Sequence, residues 1–134
     1  MPTISTTILF LNSLWDFASA VAICARLSLG RCVLLADAHL GLWVDEEDRG
    51  NGAASAIMAI LLAQWSFTRM HGALSGPASE AACVDASATY VFEAVMVAIE
   101  VAAGRMYGLS GWFVVTVSVV CWALVMRECM EHGV

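Results

Sequence analysis

Three acids stand in apolar surroundings in this chain: Asp16, Glu93 and Glu100. An ionised side chain at the centre of a bilayer costs ~2.5–3.5 kcal/mol on insertion scales. Acids at that depth therefore imply a proton, a cation or an arginine beside them. Helical spacing tells where they point. Asn12, Asp16, Ser19 and Arg26 fall on one narrow stripe at about 100° per residue, and so do Asp85, Thr89, Glu93, Glu100 and Tyr107. The opposite faces, Leu14/Val21/Ala25 and Val91/Val95/Ala98, are apolar. If the two segments run in the same direction, Asp16 stands at a height between Glu93 and Glu100. The three carboxylates are then expected to converge, with Asn12 and Thr89 beside them, as a proton, cation or ligand site. They cannot all ionise there without a compensating cation, and Arg26 and Arg105 are the expected charge partners. The competing structural role is interhelical hydrogen bonding by protonated acids, together with Ser19, Ser55, Ser66 and Thr116.

The elements that must position these residues follow from composition. Of 134 residues, 60% are hydrophobic, against ~45–50% in soluble domains. Mean hydropathy is +0.79. Such a chain fits a bilayer better than water. All six cations are arginine, and the net charge of −6 argues against nucleic acid, which needs a basic surface.

Four apolar segments stand out, and they predict spans over approximately 5–29, 52–71, 85–107 and 109–128. The β-branched run Val114–Val120 reads as helix, because four segments cannot close a membrane barrel. Residues 33–43 are too short to span and read as an interfacial helix. The fold class expected is all-α, an integral membrane four-helix bundle forming one domain, with short loops making sequential neighbours antiparallel. Gly50, Gly52, Ala53, Ala54 and Ser55 suggest close helix approach at the start of the second span. The arginine near the end of each segment (Arg26, Arg69, Arg105, Arg127) reads as an interfacial, snorkelling cation. Counting arginines puts Arg26, Arg31, Arg49 and Arg105 on one side, which the positive-inside rule makes the inner one, with both termini outside. A cleaved signal is disfavoured, since residues 1–7 carry no positive side chain.

Other chemistry finds little support. The five cysteines form no C-x-x-C pair and imply neither a zinc site nor a disulfide framework. His39, His71 and His132 lack metal-ligand spacing, no Ser-His-Asp or G-x-S-x-G pattern occurs, and no phosphate-binding glycine loop is present. No metal is expected, and no cofactor is named by any motif.

E-V-A-A-G-R-M, Glu100 to Met106, resembles the E-x-x-N/H-x-R element of chlorophyll-binding light-harvesting helices. That resemblance implies a pairing of Glu100 with an arginine between helices; Ala103 stands where that family has the pigment-supporting Asn or His. In size and layout, with Asn51-Gly52 before a helix and Glu100 followed by Tyr107-Gly108, the chain also resembles the small four-span sterol-biosynthesis scaffold of the endoplasmic reticulum. Its loops have no room for a soluble catalytic domain. The expected role is a non-enzymatic accessory or scaffold subunit of a larger membrane complex, contacting lipid and other membrane subunits or copies of itself. The alternatives are a transporter or channel-like protein that uses the intramembrane carboxylates, and a binder of a lipid or hydrophobic ligand.

Overall fold

The computed structural model describes residues 3–29, 36, 41–44, 52–77 and 79–132. Among the described residues four long helices make up the fold: α1 (Ile4–Leu29), α2 (Gly52–Ser75), α3 (Glu80–Ala102) and α4 (Gly108–His132). Most of the expected interfacial segment 33–43 lies outside the described residues.

Local chemistry sets the helix ends. Thr3 caps α1, its Oγ1 accepting the Thr6 N–H at 3.2 Å. Glu128, near the end of α4, accepts a second free N–H of that first turn, from Ser5. Gly76 has a φ of +72° and lies just past α2, with Pro77 after it, a pairing that stops a helix firmly.

The third helix starts at Glu80 and ends at Ala102, five residues earlier at each end than the predicted span 85–107. Its C-terminus is a Schellman motif that sequence periodicity overlooks. Gly104 takes a φ of +73° and donates to Val101 O at 3.0 Å, while Arg105 N donates to Glu100 O at 3.0 Å. The shift moves Glu93 to mid-helix and leaves Glu100 in the last turn.

Consecutive helices run antiparallel. The widest contacts are between α1 and α2 and between α3 and α4; α2 also packs on α3, and the α1–α4 contact is the slightest of these. Both chain ends and the α2–α3 turn therefore share one end of the bundle. The opposite end is closed by a single antiparallel bridge between Trp43 and Met106, with Val44 N donating to Arg105 O at 2.8 Å and Tyr107 N to Leu42 O at 2.9 Å.

Of the expected small-residue cluster, Gly50 lies outside the described residues and Ser55 is buried, while the tight glycine contacts fall at Gly72 and Gly111. A Cβ on Gly52 would meet nothing within 4 Å, whereas one on Gly72 would lie 2.7 Å from Ala86 Cβ, and one on Gly111 would run into Val101. Gly72 is thus what lets α2 and α3 touch. Cys83 and Cys129 are joined as a disulfide that ties the start of α3 to the end of α4. Scattered spacing had suggested no such link, because the two partners are brought together only by the α3–α4 hairpin.

The interior holds polar groups as well as apolar ones, and large apolar side chains also cover the outside. Ser5, Ser13, Asp16, Ser19, Ser55, Ser66, Arg69, Ser87, Thr89 and Ser118 are buried, while Phe67, Phe92, Phe113 and Leu109 are largely exposed. Three helices, α1, α3 and α4, are long and apolar enough to cross a membrane. The fourth, α2, is as long but more polar, carrying Gln64, Arg69 and His71.

Candidate functional site

Two apolar clusters fill the bundle. One, towards the chain termini, contains Leu9, Ala73, Cys83, Ala86, Tyr90, Val125 and Cys129; the other contains Ala20, Ile23, Ala36, Ala59, Leu62 and Trp65. Between them lies a charged layer centred on Arg69, which is only 2% exposed. Its Nη1 donates to Asp16 Oδ2 at 2.6 Å, its Nη2 to Glu93 Oε2 at 2.7 Å and its Nε to Thr89 Oγ1 at 2.8 Å. Thr89 in turn donates to Ala86 O at 2.7 Å. The guanidinium lies 4.0 Å above the Tyr90 ring and 5.6 Å from the Trp65 ring, within reach of a cation–π attraction at both faces. Such density of partners is what a buried charge requires.

Helix geometry explains how these groups meet. Measured from the end of the bundle that holds the chain termini, Asp16 and Glu93 stand about mid-helix, whereas the Arg69 backbone stands nearer that end. At ~1.5 Å per residue the gap in height is roughly 9 Å. Side chains lean toward the N-terminus of their own helix. Because α2 is antiparallel to α1 and α3, Arg69 leans inward while both acids lean toward it. The same tilt is why Arg69 does not snorkel outward as its place near a segment end had suggested.

Of the three acids expected to converge, two do. Glu100 instead pairs with Arg105 Nε at 2.6 Å and Nη2 at 2.7 Å in the turn after α3, where Arg105 is half exposed. Arg105 thus serves Glu100 rather than the buried acids. The pair lies within one helix end and not between helices. Arg26 is ten residues beyond Asp16 along α1, and the cation beside Asp16 is Arg69.

Asn12 makes its hydrogen bonds away from the acids. Its Nδ2 donates to Tyr90 Oη at 2.7 Å and approaches Cys121 Sγ at 3.8 Å, which fixes the Tyr90 ring against the guanidinium and links α1, α3 and α4. Ser13 and Ser66 bond α1 to α2 reciprocally, Ser13 Oγ donating to Ser66 O at 2.8 Å and Ser66 Oγ to Ser13 O at 2.9 Å. Ser19 and Thr116 donate to carbonyls of their own helices instead, Trp15 O and Trp112 O.

Sequence reasoning missed the central roles of Arg69, Tyr90 and Trp65. A usable signal was present for Arg69. It falls on the face that also carries Ser55, Ala59, Leu62, Ser66 and Ala73, all buried, and it stands farther inside its helix than Arg26, Arg105 or Arg127.

Beside the charged layer is a cavity of about 300 Å³, lined mainly by apolar side chains, with Asp16, Arg69 and Glu93 on one wall and Met96, Val117 and Cys121 among the others. Leu42 and Met106, from the bridged end of the bundle, also line it. Trp15 of α1 and Phe113 of α4 border it and are 54% and 70% exposed, so its wall includes side chains that also face outward. Its volume lies at the lower edge of the ~300–1,000 Å³ common for small-molecule sites. The chain matches no protein-family model, and no curated protein or solved structure shows significant similarity to it.

Proposed function

We propose that this chain is a multi-pass integral membrane protein whose four helices all span the bilayer and whose cavity binds a small, largely apolar ligand entering sideways from the lipid. The large exposed apolar side chains, with polar groups buried and partnered inside, support the membrane placement. An apolar exterior is stable where the surrounding solvent is hydrocarbon, and polar groups inside must then find partners within the protein. The single observation that carries the binding reading is the largely apolar cavity lined by all four helices, bordered by exposed Trp15 and Phe113 and by the charged layer. Membrane-bundle interiors are recurrent places for ligands.

The test uses protein purified in mild detergent and three phenyl probes sized for the cavity: neopentylbenzene, benzyltrimethylammonium and phenylpropionate. Trp15 and Trp65 line the cavity, so their fluorescence reports occupancy. The expected result is saturable binding of at least one probe at one site per chain, abolished by Val117→Trp, which fills the space. If no probe saturates, or if Val117→Trp changes nothing, the binding reading is wrong.

A second reading, a non-enzymatic accessory or scaffold subunit of a larger membrane complex, is favoured by α4. That helix keeps little of its apolar surface inside the bundle and could present it to a partner helix. Recovery of the chain from native membranes in mild detergent as a species much larger than its own monomer supports this reading; recovery as a monomer speaks against it.

A further inference from the structure

We infer that the cavity selects a lipophilic organic cation, an alkyl- or arylammonium, over neutral or anionic molecules of the same shape; the inference rests on the binding reading above. Its first ground is charge balance. The layer holds two carboxylates, Asp16 and Glu93, against one guanidinium, Arg69. With both acids ionised the wall carries one uncompensated negative charge. Among the described residues, the other titratable groups lining the cavity are Tyr90 and Cys121, and neither supplies a positive charge.

The second ground is depth. The side chains of Arg69 and Asp16 are 2% and 4% exposed, whereas that of Glu93 is 21% exposed. The guanidinium is almost wholly covered, and the most accessible member of the triad is a carboxylate. An entering molecule therefore meets negative charge first.

The third ground excludes an inorganic ion. Calcium takes about six to eight oxygen ligands and magnesium a near-octahedral set, yet the cavity offers one accessible carboxylate among methionines, valines and aromatic rings. Among the described residues no cluster of three His, Cys, Asp or Glu side chains is placed to hold a metal. An alkylammonium needs far less, since its charge is spread over methyl groups that pack on apolar walls and aromatic faces. Trp15 and Phe113 supply such faces at the mouth, and Met96 supplies a polarisable wall.

Benzyltrimethylammonium and neopentylbenzene form the decisive pair, being identical in shape with nitrogen replaced by carbon. In wild-type protein the cation should bind at least about tenfold more tightly than the neutral compound, and phenylpropionate more weakly than either. Glu93→Gln should reduce cation affinity by a similar factor and so bring the cation-to-neutral affinity ratio close to one. Should Glu93→Gln not fold, the wild-type comparison still decides. Equal affinity for the cation and the neutral compound, or tighter binding of phenylpropionate, overturns cation selectivity while leaving a ligand site in place. Failure of all three probes overturns the binding reading itself.

Discussion

Arg69 Nη1 and Asp16 Oδ2 lie 2.6 Å apart although 53 residues separate them in sequence. The contact exists because two antiparallel helices direct their side chains toward each other in height. A parallel neighbour at the same separation would tilt both side chains the same way and leave the acid short of a partner.

Removing the cation should be the most damaging single change. Arg69→Met leaves Asp16 and Glu93 facing each other without compensation, and breaking a buried pair in this way costs about 3–5 kcal/mol. Thermal unfolding in detergent should show this loss, and Asp16→Asn with Arg69→Met and Glu93→Gln together should recover most of it. Arg69→Lys should recover little, since an ammonium cannot bridge Asp16, Glu93 and Thr89 at once. Wild-type stability in Arg69→Met would show that the charged layer does not hold the bundle together.

Glu100 should behave in the opposite way. Its partner Arg105 is half exposed, and ion pairs of that kind contribute about 0–1 kcal/mol. Glu100→Gln is therefore expected to unfold within that margin of wild type and to bind the phenyl probes normally. A loss as large as that of Arg69→Met would contradict the placement of Glu100 outside the site.

Two glycines at helix positions should respond differently to alanine. Gly72→Ala puts a methyl 2.7 Å from Ala86 Cβ, and overpacking of this sort costs about 1–3 kcal/mol. Gly52→Ala meets nothing within 4 Å and should stay within about 0.5 kcal/mol of wild type. Chemical denaturation of the two variants side by side separates them, and equal effects would mean that α2 and α3 do not approach at Gly72.

The Cys83–Cys129 disulfide stands at the same end of the bundle as both chain termini. Arginine counting assigns that end to the outer side, and disulfides persist on the oxidising side of a membrane. A cysteine introduced at Ser75 should therefore react with a membrane-impermeant maleimide in intact cells, and one introduced at Val44 should not. The reverse labelling would invert the orientation. Replacing Cys83 with serine should also lower stability by about 2–4 kcal/mol, read as an earlier unfolding midpoint that matches that of reduced wild-type protein.

What the sequence determined by itself is the apolar length of the segments and their periodicity. Apolar length sets helices and their number, and the 3.6-residue repeat correctly turned Asp16 and Thr89 inward and Val91 and Val95 outward. Both are local properties of a single helix. The tertiary structure alone decided which charges meet. A five-residue shift of α3, set by Gly104, took Glu100 out of the middle and brought Glu93 level with Asp16. The antiparallel tilt of α2 drew Arg69 inward from a position that reads as interfacial. The hairpin of α3 and α4 joined cysteines 46 residues apart. Each of these depends on the relative height and direction of two helices, which the periodicity of either one does not contain.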